Sequence, residues 1–359
     1  KRAHLFANIT AGMGREDIRD LVGPLADGSV DMPDPIEQML QLVDQRKREI
    51  IEKECAGLVE LIMPRHGLDA VGGNEAIKRE LAGIARRFKD ADPRFAPMGL
   101  LAVGAMGSGK TFVIKAFLKE AGLNGVAFKN FRSKWVGSTE ANLERVLATV
   151  KAMGPTAVII DEGDRSFGKS EGDSDGGTSS RVIARLKEFM SDTENRGRGH
   201  FILMTNRPDK LDTDIKRPGR LDRKIPFFYA QSDEERGDVL ANILSRHGAP
   251  LTLADEAQRA RFLGIMARLE GYSNADLEAV ALLAVDMAHT DGTGASLDVL
   301  ERAVDDFMPP QERSMIEYMD WLAVSEASRK SLLPQKYRDC SADQVQARLS
   351  SLRSALGIR

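Results

Sequence analysis

The sequence predicts an α/β protein with a doubly wound parallel sheet, joined to helical segments on both sides. Between residues 68 and 229, short apolar runs alternate with amphipathic segments, as strands and helices alternate in such folds. The runs are GLLAVG, GVAFKN, TAVIID and HFILMTN, and each has the length of a buried parallel strand. After residue 230 helical periodicity replaces them. We therefore expect one α/β domain followed by a small all-helical domain.

The predicted organisation has four segments. Residues 1–67 form a helical N-terminal extension, and residues 68–229 form the large α/β domain. A small helical domain (the lid) occupies residues 230–308, and a helical tail occupies residues 309–359. We expect the tail to pack on the lid or on the next subunit, the alternative being a docking surface for a partner.

Local signals place one helix and one loop within this plan. Asp34 is a candidate N-cap with Pro35 at the first helical position, and apolar residues follow at helical spacing. This pattern predicts a long amphipathic helix that docks on the next domain, or, less favoured, a partner-binding coiled coil. The stretch GKSEGDSDGGTSS, residues 168–180, predicts a mobile loop.

Composition narrows the class of protein. The chain has 359 residues, with 42% apolar and 29% charged residues, a balance typical of a globular protein. The formal net charge of -3 gives no overall positive field, so a nucleic-acid partner is not expected, although a local basic groove stays possible. Cys55 and Cys340 are far apart and predict neither a disulfide framework nor a zinc site.

The sequence predicts a cytoplasmic protein. No apolar run approaches the roughly 18 residues of a membrane helix, and no signal peptide is recognisable. Because the chain begins at Lys1 and not at Met, we expect further sequence upstream.

A phosphate-binding loop is the clearest motif. GAMGSGKT, from Gly104 to Thr111, matches G-x-x-x-x-G-K-[ST], follows an apolar run and precedes a helical pattern. Its glycines let the backbone wrap around phosphate oxygens, Lys110 reaches the β- and γ-phosphates, and Thr111 offers its hydroxyl to Mg²⁺. We expect ATP to contact Gly107, Ser108, Gly109, Lys110, Thr111 and Phe112.

Two carboxylates complete the expected hydrolytic site. Asp161 and Glu162 follow the apolar run TAVII about 50 residues after the phosphate loop. Asp161 is expected to hold Mg²⁺, and Glu162 to orient and deprotonate the attacking water. A Glu at this position favours hydrolysis over nucleotide binding alone.

The segment HFILMTNRPDKLDTDIKRPGRLDRKIPF, residues 200–227, resembles the second region of homology of AAA ATPases, the clade of FtsH, katanin and spastin. The resemblance extends over roughly residues 68–306. It implies that Asn206 senses the γ-phosphate or the attacking water. It also implies that Arg217 and Arg220 act as arginine fingers on the ATP of a neighbouring subunit. The alternative for the two arginines is a pair of surface ion pairs.

Further segments match the same family. DAVGG resembles a segment that touches adenine, which implies roles for Asp69, Val71 and Gly72. GYSNADLEAV resembles part of the family's lid, where Gly271 and Ala275 would lie near the nucleotide. The family's adenine-side His, counted from Arg236, corresponds to Ile243, whereas His247 lies one turn later.

The sequence also departs from the family. Met106 and Ser108 replace the usual Pro and Thr of the loop, and Gly163 replaces the usual Ile. The N-terminal helix, the LDAVGG segment and GGTSSRV also resemble a little-studied cyanobacterial and plastid AAA subfamily.

A tryptophan marks the expected substrate contact. Lys134, Trp135 and Val136 occupy the place where unfoldases of the family carry an aromatic pore residue. A flat apolar side chain there suits a polypeptide of any sequence. The alternative is burial of Trp135 in the domain or at a subunit interface.

The main functional hypothesis is a hexameric ATPase that uses ATP and Mg²⁺ to thread or remodel a polypeptide through its pore. A nucleotide-controlled scaffold with slow hydrolysis is the alternative, and a DNA-acting motor is less favoured. A P-loop kinase would leave the Arg217–Arg223 segment unexplained. No H-E-x-x-H occurs, so a fused FtsH-type peptidase is not expected in this sequence.

Overall fold

The computed structural model describes residues 10, 13, 15–26, 35–55, 57–89, 96–128, 139–153, 155–163, 176–197, 199–309 and 313–358. Within these ranges a single sheet lies between helical layers, and the lid forms a separate helical cluster. The α/β fold class predicted from the sequence is confirmed.

The sheet contains six strands among the described residues, in the order β1-β3-β4-β5-β2-β6. The pairs from β3 to β6 are all parallel, and only β1 runs antiparallel, against β3. The strands are β1 (Val59–Ile62), β2 (Gly99–Gly104), β3 (Asn124–Phe128), β4 (Thr156–Ile160), β5 (Gly199–Thr205) and β6 (Arg223–Phe227).

The helices divide between the four segments of the chain. Before and within the large domain they are α1 (Arg15–Ala26), α2 (Pro35–Glu54), α3 (Glu75–Lys89), α4 (Lys110–Ala121), α5 (Thr139–Ala152) and α6 (Gly176–Ser191). In the lid they are α7 (Asp233–Arg246), α8 (Glu256–Ala267), α9 (Asn274–Thr290) and α10 (Leu297–Asp306). In the tail they are α11 (Arg313–Glu326), α12 (Gln335–Arg338) and α13 (Ala342–Leu356).

The central strand β2 shows why both faces of the sheet are covered. Side chains alternate along a strand, so Leu100 and Ala102 face one layer while Leu101 and Val103 face the other. The first layer holds α3 and α4, and the second holds α5, α6 and the tail. Each fully buried leucine contributes about 2 kcal/mol, so an uninterrupted apolar run is stable only between two such layers.

The lid has its own apolar core and well-capped helices. Ser232, Asp255, Ser273 and Ser296 each accept a hydrogen bond from a backbone N–H in the first turn of α7, α8, α9 and α10. Ser273 and Asp276 form a reciprocal capping box at α9. The start of α9 is therefore held in place, which matters because it faces the phosphate loop.

Most sequence-based elements are confirmed, with shifts of one or two residues at their ends. The four predicted strands correspond to β2, β3, β4 and β5, and the long N-terminal helix begins at Pro35 as expected. Helix α6, however, begins at Gly176, inside the stretch predicted as a loop. Residues 168–175 of that stretch lie outside the described residues.

Two strands were not predicted. β1 lies in the extension that was expected to be helical, and it pairs with β3 at the edge of the sheet. The predicted domain boundary at residue 67 is therefore too late, because β1 belongs to the sheet of the large domain. β6 pairs with β2 at the other edge. Its sequence contains Pro226, which an edge strand tolerates because one side needs no ladder hydrogen bonds.

The tail was expected to pack on the lid or on the next subunit, but it packs on the large domain of its own chain. α11 contacts β6 and β2, and Tyr318, Leu322 and Leu352 belong to the same apolar core as β2 and β5. The physical reason is the β6 edge of the sheet, which would otherwise expose apolar surface. Trp321 packs edge-on against the ring of Tyr337, with centroids 5.0 Å apart.

Among the described helices, none combines the length and apolar character needed to span a bilayer.

Candidate functional site

The phosphate loop joins β2 to α4 in a conformation that requires glycine. Gly107 and Gly109 have φ angles of 74° and 83°, in the left-handed region. Gly109 is also the N-cap of α4, so the loop ends at a helix N-terminus. At Gly104 a Cβ atom would lie 2.2 Å from the carbonyl oxygen of Phe227, so the loop begins where β6 passes closely.

Lys110 links the loop to the end of β5. Its side chain is buried, and Nζ donates hydrogen bonds to the carbonyl oxygens of Gly104 and Ala105, both at 2.8 Å. Nζ also donates to Oδ1 of Asn206, at 2.8 Å. Asn206 directly follows β5, so the parallel arrangement brings the two predicted residues together at one edge of the sheet.

Thr111 and Asp161 form a pair of oxygen donors at the same edge. Thr111 Oγ1 lies 3.5 Å from Asp161 Oδ2. A hydroxyl and a carboxylate suit Mg²⁺, which binds few protein oxygens and shares its shell with phosphate and water. Within the described residues no group of three His, Cys, Asp or Glu side chains could hold a metal by itself. The Thr111 hydroxyl and the Asp161 carboxylate fit a magnesium ion whose other ligands are phosphate and water.

The backbone at Glu162 is strained. Its φ angle is 50°, unusual for a non-glycine residue, and such a conformation costs roughly 1–3 kcal/mol. Its N–H donates to Asp161 Oδ1 at 2.9 Å, which helps hold the turn. The next residue is Gly163, where a Cβ atom would lie 2.4 Å from Leu203 Cδ2. A larger residue at this position would therefore require the Leu203 side chain to shift.

A cavity of about 310 Å³ lies between the phosphate loop and the lid. Ten of the residues expected to bind the nucleotide line it: Val71, Gly72, Gly107, Ser108, Gly109, Lys110, Thr111, Phe112, Ile243 and Ala275. Sequence reasoning missed eight further lining residues: Ala70, Asn74, Val113, Val239, Asn242, Arg246, Asn274 and Glu278.

Asp69 and Gly271, also expected at the nucleotide, do not line this cavity. The Asp69 carboxylate points back to Gly67, whose Cβ position would be 2.6 Å from Oδ1. Gly271 lies in an exposed turn before α9, with a φ angle of 82°.

Phe112 forms a stack that joins the large domain to the lid. Its ring lies parallel to the imidazole of His66, with centroids 3.9 Å apart. The guanidinium of Arg246 lies 4.6 Å from the Phe112 centroid and donates to Glu278 at 2.6 Å. His247 is exposed and does not line the cavity, in agreement with assigning it no adenine role.

Three consecutive carbonyl oxygens of the loop accept hydrogen bonds from other parts of the chain. The Tyr229 hydroxyl donates to Met106 at 2.6 Å. The N–H of Ala275 donates to Gly107, and Asn274 Nδ2 donates to Ser108, both at 3.2 Å. Two of the three donors belong to α9, so the position of the lid and the conformation of the loop are coupled.

Comparison with known proteins identifies the family of part of this chain. Residues 100–229 match the model of the ATPase family associated with various cellular activities (AAA). This stretch of the chain is an AAA ATPase domain. The AAA resemblance predicted from the sequence is thereby confirmed.

Curated relatives support the assignment of the AAA domain. ATPase family protein 2 homolog of Caenorhabditis elegans is 30% identical over 75% of this chain and 38% of its own. Cell division cycle protein 48 homolog of Archaeoglobus fulgidus is 30% identical over 64% of this chain and 31% of its own. An ATP-dependent zinc metalloprotease FtsH of Marinobacter nauticus is 31% identical over 59% of this chain and 34% of its own. The chain thus spans about a third of the length of these relatives.

A solved structure has the same fold. The crystal structure of the FIGL-1 AAA domain superposes with a TM-score of 0.61 at 20% identity, over 79% of this chain and 96% of that one. The match extends well beyond the stretch that the family model covers.

The two candidate arginine fingers lie at the N-terminal ends of the parallel strands, whereas the phosphate loop lies at their C-terminal ends. They precede β6, which is parallel to β2, whereas the loop follows β2. The carbonyl oxygen of Arg220 is close to Gly99 at the start of β2, where a Cβ atom would lie 2.5 Å from it. One strand length, roughly 17 Å, therefore separates these arginines from the loop of their own AAA domain.

The two arginines differ in their surroundings. The Arg217 side chain is 73% exposed and forms an ion pair with Asp214 at 3.1 Å. Arg220 is half-buried and donates to Ser191 Oγ at 2.8 Å and to the carbonyl and carboxylate oxygens of Asp214 at 2.8 and 2.6 Å. The hydrogen bond from Arg220 lowers the pKa of the Asp214 carboxyl. Arg217 is thus the more accessible of the two.

Lys134, Trp135 and Val136, the expected pore residues, lie outside the described residues of the AAA domain. Their role stays a prediction.

Proposed function

We propose that the AAA domain binds ATP with Mg²⁺ and hydrolyses it at a site shared by neighbouring subunits of a hexameric ring. The observation that carries the proposal is the cluster of Lys110, Asn206, Thr111 and Asp161 beside the cavity. These side chains converge from three different strand ends, where open α/β sheets bind their ligands.

Each residue of the cluster has a distinct task. Lys110 holds a positive charge at the loop, ready for phosphate oxygens, and Asn206 orients it. Thr111 and Asp161 would hold Mg²⁺, which neutralises charge on the phosphates when it is bound. Glu162, on its strained turn, would accept a proton from the attacking water.

The completing charge comes from the next subunit. Because Arg217 is exposed and lies about one strand length from its own loop, it suits a site on a neighbour better than its own. A guanidinium supplied in trans stabilises the transition state and is worth about 10³–10⁵ in turnover. Hydrolysis then depends on ring assembly.

The work done by the ring is the remodelling or threading of a polypeptide. The names of relatives support an ATP-driven action on proteins: one is an ATP-dependent zinc metalloprotease FtsH, and another is a cell division cycle protein 48 homolog. A FIGL-1 AAA domain of the same fold was solved in complex with ADP, which supports nucleotide binding by the present AAA domain. Trp135 is the proposed grip on the substrate.

A coupled assay tests the proposal at two levels. Lys110→Ala should abolish ATP binding, and Glu162→Gln should keep binding while stopping hydrolysis and retaining assembled rings. Capture with Glu162→Gln and ATP should then retain an unfolded model protein, and Trp135→Ala should release it. Normal hydrolysis in Glu162→Gln would refute the site, and full remodelling in Trp135→Ala would refute threading.

A further inference from the structure

Helix α11 of the tail runs along the outer edge of the AAA sheet, from one functional loop to another. It packs on β6 and β2 and contacts the turn Pro208–Lys210. Met319 lies against Ala105 of the phosphate loop and against Tyr229, whose hydroxyl bonds the loop at Met106. This helix lies outside the stretch matched by the AAA family model.

The first part of α11 holds the segment that follows Asn206. The Tyr318 side chain is fully buried, and its hydroxyl donates to Asp209 Oδ2 at 3.1 Å. Arg353 of α13 donates to that same hydroxyl at 2.8 Å. Arg207 donates to both carboxylate oxygens of Asp209 at 3.0 and 2.9 Å and stacks over the Tyr318 ring at 5.3 Å. Arg207, the residue that follows Asn206, is therefore part of a network that includes two tail residues, Tyr318 and Arg353.

Burial acts to raise the pKa of the Asp209 carboxyl, but the hydrogen bonds and charge of Arg207, together with the Tyr318 hydroxyl, outweigh it and lower this pKa. The network is thus charged, paired and largely dry, and such networks hold their members in one geometry.

The last residue of α11 holds the segment that precedes Arg217. The Glu326 side chain is only 14% exposed, and it accepts hydrogen bonds from Lys216 and, at 2.9 Å, from Lys224. Lys216 also donates to the carbonyl oxygen of Pro208 at 3.0 Å. Lys216 thus joins the loop after Asn206 to the end of α11. The next residue in the chain is Arg217.

We propose that α11 is a positioning element of the ATPase site, in which Tyr318 holds the Asn206 loop and Glu326 holds the Arg217 loop. The two side chains are eight residues apart, which corresponds to roughly 12 Å along a helix. A rigid helix of this length keeps the two loops at a constant separation. Within a ring, Tyr318 would then serve the site of its own subunit, and Glu326 would serve the site of the neighbour.

This inference rests on the proposed function, because it assigns Asn206 and Arg217 to hydrolysis. Arg217→Ala and Asn206→Ala are therefore the reference variants. Normal turnover in both would refute the proposed function itself. If both lose turnover while the α11 variants behave as wild type, only the present inference fails.

The test uses conservative substitutions on the full chain. Tyr318→Phe removes only the hydroxyl, and Glu326→Gln removes only the charge. The matched control is Glu317→Gln on the same helix, since Glu317 accepts from Arg348 of α13 at 2.7 Å, a contact within the tail. We expect Tyr318→Phe and Glu326→Gln to lower kcat about ten- to a hundredfold, with the Kd of a fluorescent ATP analogue within twofold of wild type. The control should leave both constants unchanged.

Mixed rings separate the two roles. Lys110→Ala subunits lack a working site of their own but keep an intact Arg217 loop. Added in equal amount, they should restore part of the turnover of Glu326→Gln, because the site of that variant is intact and receives a normal Arg217 loop. They should restore no turnover to Tyr318→Phe, because the defect of that variant lies in its own site. A purely structural defect would not show this asymmetry.

Three results would overturn the inference: turnover of Glu326→Gln equal to that of the control, a large change in nucleotide Kd in place of kcat, or equal recovery of both variants in mixed rings. If Glu326→Gln fails to fold, as judged by thermal unfolding, Lys216→Gln removes the same junction from the loop side and is expected to give the same kcat loss and recovery.

Discussion

Replacing the two candidate arginine fingers one at a time separates a role in catalysis from a role in folding. Arg217 is 73% exposed and pairs with Asp214 on the protein surface, where ion pairs contribute little to stability. Arg217→Ala should therefore leave the melting temperature within about 1 °C of wild type. Its turnover should nevertheless fall about 10³-fold, because the lost guanidinium stabilises charge in the transition state.

Arg220→Ala is expected to lose stability as well as turnover. Arg220 donates to Ser191 Oγ and to the Asp214 carbonyl, and these two hydrogen bonds alone are worth about 2 kcal/mol. For a domain of this size that loss lowers the melting temperature by about 4 °C. Arg220→Lys should recover part of the stability but not the forked geometry.

The assay is steady-state ATP turnover beside differential scanning fluorimetry, at equal subunit concentration and with ring assembly monitored by light scattering. An equal fall in melting temperature for both alanine variants would refute the structural distinction. Wild-type turnover in Arg217→Ala would refute the assignment of the finger.

Three further perturbations have defined outcomes. Glu162→Gln should lower hydrolysis at least about 100-fold while bound ATP is retained on filters, and prompt release of ADP would contradict it. Burial raises the pKa of the Asp320 carboxyl to about 7, although the charge of Lys336 opposes this shift. Protonation of Asp320 therefore stabilises the fold fully below about pH 4, and this contribution is lost as the pH rises through about 7. Asp320→Asn should therefore abolish this pH dependence and unfold at a higher temperature than wild type at pH 8; parallel curves from pH 5 to 8 would contradict it. Arg246→Ala removes the cation over Phe112 and should raise the Kd of a fluorescent ADP analogue about three- to tenfold with kcat unchanged, whereas an unchanged Kd would exclude a contribution to binding.

Local signals were sufficient for much of the site. The phosphate loop is a motif of eight consecutive residues that occurs between a strand and a helix, so the sequence alone predicted its position between β2 and α4. Asp161 and Asn206 each end an apolar run, and parallel strands bring such ends to one edge. The sequence therefore predicted that Lys110 and Asn206 lie near each other, but it did not predict the hydrogen bond between them.

Contacts between distant residues were beyond such signals. β1 is only four residues long and contains Glu60, and β6 contains Pro226, so neither has the pattern of a buried strand. The stack of His66, Phe112 and Arg246 joins three separate elements, and no spacing rule relates them. For the same reason the tail was predicted to pack on the lid or on the next subunit, whereas its apolar face covers the β6 edge of the sheet.

The central claim is that one ATP site is completed by the neighbouring subunit, and subunit mixing tests it most directly. Lys110→Ala lacks a working site but keeps Arg217, whereas Arg217→Ala keeps its site but lacks the finger. Each should be inactive alone. Mixed in equal amounts, they should recover a substantial fraction of wild-type ATP turnover, because sites of one variant receive Arg217 from the other. Turnover no greater than the sum of the separate variants, in rings shown to contain both, would contradict the claim.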